Sequence, residues 1–377
     1  MYIIERMISI AILLLITCIA SIKLSKTNDY KKIKKILVFY VIIISILSFC
    51  YIPALTSDLT RLRIMMSRVY TNMSFPRFLE IIKTTSTYTT HIYYYVVAKI
   101  GIQELVSAFS SLINYSVICY VLYDYSKKHN IRGSSVANAL MLYIFIGEYL
   151  EVVSGFRSMC SFSIFFFCIY REFFNNKNIL SNIIFYLIAI GFHNAVVPLV
   201  IIRFIYLLFQ KEKNMFVKIF NYFLFISLLL FSLKYGTTII ESTTNKANNY
   251  LDHEVFYYFW SFLSSVLQIV LVIYVYLTNK DIIKEKIPKT YRNLFIIILL
   301  LDMVFIFIEY SIFRRYSRVV IMLFLPIIME CFNYERLEST KLLIKKKNII
   351  YYLLLVLIML IEVSRGDLCG IKFFTLK

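Results

Sequence analysis

Apolar runs of about 13 to 23 residues recur from one end of this chain to the other, and they limit what it can fold into more than any motif does. They lie at about 7–22, 36–53, 103–123, 134–150, 156–171, 180–192, 195–209, 216–234, 255–277, 294–313, 317–332 and 348–363. An α-helix of about 20 residues crosses the hydrocarbon of a bilayer. The spacing therefore predicts an all-α, polytopic integral membrane protein with about twelve transmembrane helices. Composition agrees: 60% of the residues are hydrophobic, and eight glycines and five prolines in 377 residues leave little material for irregular structure. The first run, SIAILLLITCIASIKL, leads into KLSKTNDYKKIKK with no small-x-small cleavage site, so it reads as a retained span. With neither an internal repeat nor a low-complexity segment, residues 1–377 are expected to form one membrane domain. Its longer loops would be 54–87, followed by an amphipathic segment at 88–101, and 235–254.

Charge gives the orientation. Segments 23–35, 124–133, 171–179, 203–218, 278–293 and 334–347 together carry 25 of the 41 basic residues. By the positive-inside tendency these belong on the cytoplasmic face, which places both termini outside. The weak point is the pair 180–192 and 195–209, each about 20 Å long as a helix. It reads either as two short spans or as a re-entrant hairpin with His193 near its tip. One long helix would put the basic runs NKDIIKEKIPKTYRN and NYERLESTKLLIKKKN outside, and is rejected for that reason.

Separating lysine from arginine adds a second signal. The cytoplasmic segments hold 20 Lys and 5 Arg, whereas the remainder holds 6 Lys and 10 Arg. Topology treats the two cations alike, but phosphate oxygens do not, because a planar guanidinium binds them bidentately. The outer face thus reads as a site for a phosphate-bearing substrate. A formal charge of +19 scattered among apolar runs, rather than gathered on a soluble face, points away from nucleic acid.

The candidate anion-binding residues are Arg157 in SGFRSMCSF, Arg314, Arg315 and Arg318 in EYSIFRRYSRVV, and Arg61, Arg63 and Arg68 in SDLTRLRIMMSRVY. Charges this close to apolar runs are costly unless they face a polar cavity or a partner. His193 in IGFHNAVVP is the candidate base, since imidazole takes a proton near neutral pH without a metal. His91 in STYTTHIYYY reads as interfacial, and His129 and His253 are given no role. Asp58 sits in the first outer loop, one helical turn before Arg61, so a plain ion pair competes with any catalytic use. Glu309 is expected to pair with the arginine cluster. Seven cysteines show no CxxC and no histidine at ligand spacing, and they carry neither a disulfide framework nor a metal site.

An arginine at the start of a span, the aromatic-basic turn YREFFNNKN after it, and a span ending in Phe-His about 36 residues further on form a pattern. It resembles the EpsG-like family of bacterial polysaccharide polymerases, relatives of the Wzy O-antigen polymerases. The likeness is best from Glu148 to Arg203, with an echo in RRYSR at 314–318. KKIKK and Asp58 stand where such proteins carry a basic turn and a loop acid. YIPALTSDLTRLRIMMSRVY lacks the glycine and the tyrosine spacing of that loop, however, which weakens any role for Asp58.

The resemblance implies a glycosyltransferase in the bacterial cytoplasmic membrane. Its substrates would be undecaprenyl-pyrophosphate-linked oligosaccharide repeat units, joined on the outer face. Arg157, Arg314, Arg315 and Arg318, with Arg61 and Asp58, would hold pyrophosphate and glycan, while His193 orients or deprotonates the acceptor hydroxyl. Neither a metal nor a cofactor is called for. The expected partners are the lipid-linked glycan, membrane lipid and, in some systems, a chain-length regulator. Competing readings are a flippase or exporter of the same lipid, a membrane glycan acyltransferase, and a polyprenyl-phosphate-sugar glycosyltransferase.

Overall fold

A computed structural model describes residues 2–53, 57–147, 149–177, 179–208, 255–308 and 310–335, and all regular secondary structure among them is helical. The runs at 216–234 and 348–363, the loop 235–254 and the acids Glu148 and Glu309 lie outside the described residues. The chain opens with α1 (Tyr2–Ser25) and α2 (Tyr30–Phe49), then α3 (Asp58–Met65), a π-turn (Met66–Tyr70), α4 (Phe75–Thr84) and α5 (Tyr88–Ile100). It continues with α6 (Leu105–His129), α7 (Gly133–Ile146), the short α8 (Tyr149–Ser154) and α9 (Phe156–Phe174). A 3₁₀ turn (Ile179–Asn182) leads into α10 (Ile183–Phe192), and a second (Asn194–Val196) into α11 (Val197–Leu208). The remaining described helices are α12 (Val255–Thr278), α13 (Lys280–Lys286), α14 (Lys289–Ile308) and α15 (Tyr310–Glu335).

Local chemistry sets several of these boundaries. The Asp29 carboxylate accepts from the Lys31 N–H at 2.9 Å and starts α2; the Ser57 hydroxyl caps α3. Helix α6 stops where Asn130 adopts φ 53°, and α5 where Gly101 adopts φ 82°.

The expectation of about twelve spans holds only in a coarser form. Among the described residues, Leu105–His129 and Lys289–Phe307 are long and apolar enough to cross a membrane. A third candidate is the broken pair Phe262–Thr278 and Lys280–Lys286, bent by 76°. Ala11–Ser25, Gly133–Ile146, Ile179–Phe192 and Asn194–Leu207 are apolar but shorter. The other long helices carry charge: four lysines open α2, and α15 holds three arginines and Glu330. Helix α2 still presents an apolar stripe outward, with Phe39 65% and Ile46 57% exposed, opposite buried Leu37, Tyr40, Ile44 and Leu47. Such a stripe suits lipid rather than water.

Polar contacts sort into two ends. At one, Tyr30 Oη meets Asn130, Gly133 N–H donates to Asn28 Oδ1 at 3.2 Å, Tyr125 Oη donates to Glu330 at 2.8 Å, and Lys128 pairs with Asp124 at 2.8 Å. Segments 23–35 and 124–133, which the charge pattern groups on one face, therefore meet at one end of the bundle. At the other end Ser48 Oγ lies 2.6 Å from Ser111 Oγ and 2.9 Å from Tyr149 Oη. Between the ends, Asn114 joins three helices, accepting from Tyr143 Oη at 2.9 Å and donating to Ser163 Oγ at 2.8 Å. In an apolar medium such bonds hold helices together, because the freed groups find no water.

Helices α10 and α11 form a hairpin whose two arms reach the same carboxylate. Glu172 accepts from Asn182 Nδ2 at 3.1 Å, from Tyr186 Oη at 2.8 Å and from Arg203 Nε at 2.7 Å. Both members of the Arg203–Glu172 pair are about 95% buried. Arg203, counted in the sequence as the first residue of a cytoplasmic loop, is instead an internal charge within α11. Between the arms the chain breaks at His193, whose φ of −157° and ψ of 128° are extended. A single long helix is thus excluded, and His193 occupies the turn.

Candidate functional site

Arg157, His193 and the arginines of α15 come from three separate parts of the chain and meet at one end. Glu151, on α8, organises the α15 side. Its carboxylate pairs with Arg314 through one oxygen and with Arg318 Nη2 through the other, at 2.8 Å. Two guanidinium groups share this one carboxylate, and half-buried Arg315 lies next to Arg314 in the same helix. The Arg318 side chain is 6% exposed, whereas Arg314 and Glu151 are 17% and 20% exposed, so the pair opens toward the surface at its Arg314 side. Sequence spacing put these arginines in a break between spans. The structure places all three inside α15, within its first nine residues. Glu309, the expected partner, lies outside the described residues, and the acid that the structure shows is Glu151.

Helix α8, which holds Glu151, also fixes Arg157. The Gly155 N–H donates to Glu151 O at 2.8 Å, and α9 begins at the next residue, which places Arg157 in its first turn. Arg157 is half-buried and has no hydrogen bond or ion pair among the described residues. A cation at a helix N-terminus opposes the helix dipole, so this position favours an anionic ligand over an unliganded state.

His193 is held by its backbone and its ring. Its carbonyl accepts from Ser161 Oγ at 3.4 Å, and Nδ1 accepts from the Ala195 N–H at 2.9 Å, capping the 3₁₀ turn. A peptide N–H can only donate, so in the neutral ring the proton sits on Nε2. The lone pair that a base needs is therefore already engaged. The Ala195 carbonyl in turn accepts from Tyr316 Oη at 2.9 Å, and Tyr316 lies between the arginines of α15. His193 and the arginine helix are thus joined through one residue.

Segment 86–94 closes the end, which the sequence reading did not foresee. Thr90 Oγ1 donates to Phe192 O at 2.8 Å, Tyr88 Oη to Leu187 O at 2.6 Å, and Asn194 Nδ2 to Ser86 Oγ at 2.7 Å. Gly191 permits this approach, since a Cβ there would collide with Thr89 Oγ1 and lie 2.7 Å from the Tyr88 ring. The Tyr93 ring stacks on Phe156, beside Arg157, at 4.9 Å. His91 therefore lies near Arg157, with Nδ1 hydrogen-bonded to Tyr70 Oη. Burial first, and the Arg157 charge second, hold His91 below the usual histidine range, so it is neutral at pH 7.

Residues of the first loop divide. Asp58 and Arg61 pair at 3.6 Å while about 70% exposed, the surface ion pair that their spacing predicts. Arg68 is exposed, whereas Arg63 turns inward and donates to Tyr51 O and Ser107 Oγ, each at 3.4 Å.

The EpsG family model matches residues 91–374, about three quarters of the chain. The chain belongs to the EpsG family. The EpsG match begins at His91 and takes in Glu151, Arg157, His193 and the arginines of α15, while Asp58 and Arg61 precede it. No curated protein matches the chain, and neither does any solved structure. EpsG membership and the apolar helices together identify a membrane-associated protein of polysaccharide biosynthesis.

Proposed function

We propose that this EpsG-family protein joins polyprenyl-pyrophosphate-linked oligosaccharide repeat units by glycosyl transfer on the outer face of the cytoplasmic membrane. The observation that carries this reading is the convergence of Arg157, the Glu151-bound pair Arg314 and Arg318, and His193 at one end of the bundle. Transfer breaks the bond between the anomeric carbon of the donor and its pyrophosphate, and that leaving group needs fixed positive charge in a site of low dielectric. Arg157, which has no ion pair among the described residues, supplies it beside the arginines of α15. His193 orients the acceptor hydroxyl through its Nε2–H. Asp58 is left out of the machinery, because it is paired in solvent with Arg61.

Deletion of the gene tests the reading. The expected phenotype is loss of long polymer, with single repeat units still displayed on the outer surface. Units retained inside the cell would instead identify a lipid exporter, and unchanged polymer would exclude both.

A further inference from the structure

Two histidines stand at the proposed site, and their hydrogen-bond partners differ in one respect that decides what each ring can do. The partner of His193 Nδ1 is a peptide N–H, which has no lone pair to offer and so holds the ring in one tautomer. The partner of His91 Nδ1 is the Tyr70 hydroxyl, which both donates and accepts. When Tyr70 accepts from Nδ1–H, the lone pair is on Nε2, and Nε2 has no hydrogen-bond partner among the described residues. When Nε2 takes a proton, the same Tyr70 oxygen goes on accepting from Nδ1–H. The hydrogen bond thus survives the change of charge, which it cannot do at His193.

Position agrees with this difference. Thr90, one residue before His91, is bonded to the carbonyl of Phe192, one residue before His193, so the two rings belong to the same end. Three further groups bear on His91. Arg157 from α9 acts on it directly, Tyr70 holds it from the π-turn, and Tyr94 contacts it edge-on from its own helix, with ring centroids 6.4 Å apart. Tyr94 is 1% exposed and its hydroxyl has no partner among the described residues, while the charges of Arg157 and Asp58 both reach it.

Building on the glycosyl-transfer reading, we infer that His91, hydrogen-bonded to Tyr70, is the group that takes the proton from the acceptor hydroxyl. In the step, the acceptor oxygen bonds to the anomeric carbon of the donor as the bond from that carbon to the pyrophosphate oxygen breaks. The hydroxyl proton passes to His91 Nε2, and the electron pair leaves with the polyprenyl pyrophosphate. His91 then releases its proton to water. Tyr70 is a positioning residue that stabilises the imidazolium, and His193 remains a donor throughout.

The test uses the full-length protein in membranes of a deletion strain, supplied with the lipid-linked oligosaccharide extracted from that strain. His91→Gln is expected to lower the polymerisation rate by about 100-fold or more, the usual contribution of a positioned base, with unchanged membrane insertion. Tyr70→Phe is expected to retain measurable activity and to move the acidic limb of the rate–pH profile to lower pH. The direction follows because the imidazolium loses the acceptor that favours it, so its pKa falls. A latch between the π-turn and α5 would lower the amount of folded protein but leave the limb where it is. Near-normal rates in His91→Gln, or an unmoved limb in Tyr70→Phe, would overturn the assignment while leaving the glycosyl-transfer reading intact. Absence of polymerisation by the unsubstituted protein would overturn both.

Discussion

His193→Asn is expected to abolish polymer formation while leaving the protein folded and inserted. An asparagine at this position can still accept from the Ala195 N–H, as the imidazole does at 2.9 Å, so the 3₁₀ turn keeps its cap. What it loses is the ring's reach and the Nε2–H at the far side. Removal of a donor that acts on the reacting groups costs on the order of 100- to 1,000-fold in rate, or about 3 to 4 kcal/mol. The measurement is the length distribution of surface polysaccharide in a deletion strain carrying the variant, alongside its level in membranes. Long polymer from His193→Asn would show that the ring serves only as a cap.

The second large effect concerns stability. Glu172→Ala is expected to destabilise the protein by about 3 to 5 kcal/mol, because it leaves Arg203 buried without its counter-charge. The same truncation removes the acceptor shared by Asn182 and Tyr186, and so unties α10 from α9 and α11 together. Thermal unfolding of the detergent-purified protein measures the loss. Replacing both partners, as Glu172→Leu with Arg203→Met, should recover most of it, since two apolar side chains bury no charge. A single variant as stable as the unsubstituted chain would mean that water reaches Arg203.

The end where Arg157, His193 and the arginines of α15 meet was legible in the sequence because each signal was a cation or an imidazole at the edge of an apolar run. There the cost of burial leaves few alternatives to function or pairing. The break at His193 was legible too, because one unbroken helix would carry the later basic runs to the outer face. Glu151 as partner to Arg314 and Arg318 was not, since the residues lie 163 and 167 positions apart and nothing local to either marks the contact. Arg203 misled for the opposite reason: it groups by charge with Lys211 and Lys213 further along although its neighbours are apolar, and only the fold brings Glu172 to within 2.7 Å. The tautomer of His193 depends on a single backbone N–H, and a turn three residues long carries no pattern from which to read it. The amphipathic spacing of TTHIYYY makes His91 read as interfacial, yet it is Thr90 beside it that docks this helix against Phe192.

On the glycosyl-transfer proposal, the arginine-lined end joins lipid-linked saccharides and does not merely pass them. Purified protein in liposomes, given the lipid-linked oligosaccharide extracted from the deletion strain and no added metal or nucleotide, tests it most directly. The account predicts a ladder of products differing by one repeat unit, with one polyprenyl pyrophosphate released for each bond formed. Movement of the oligosaccharide across the bilayer without any increase in its length would contradict it.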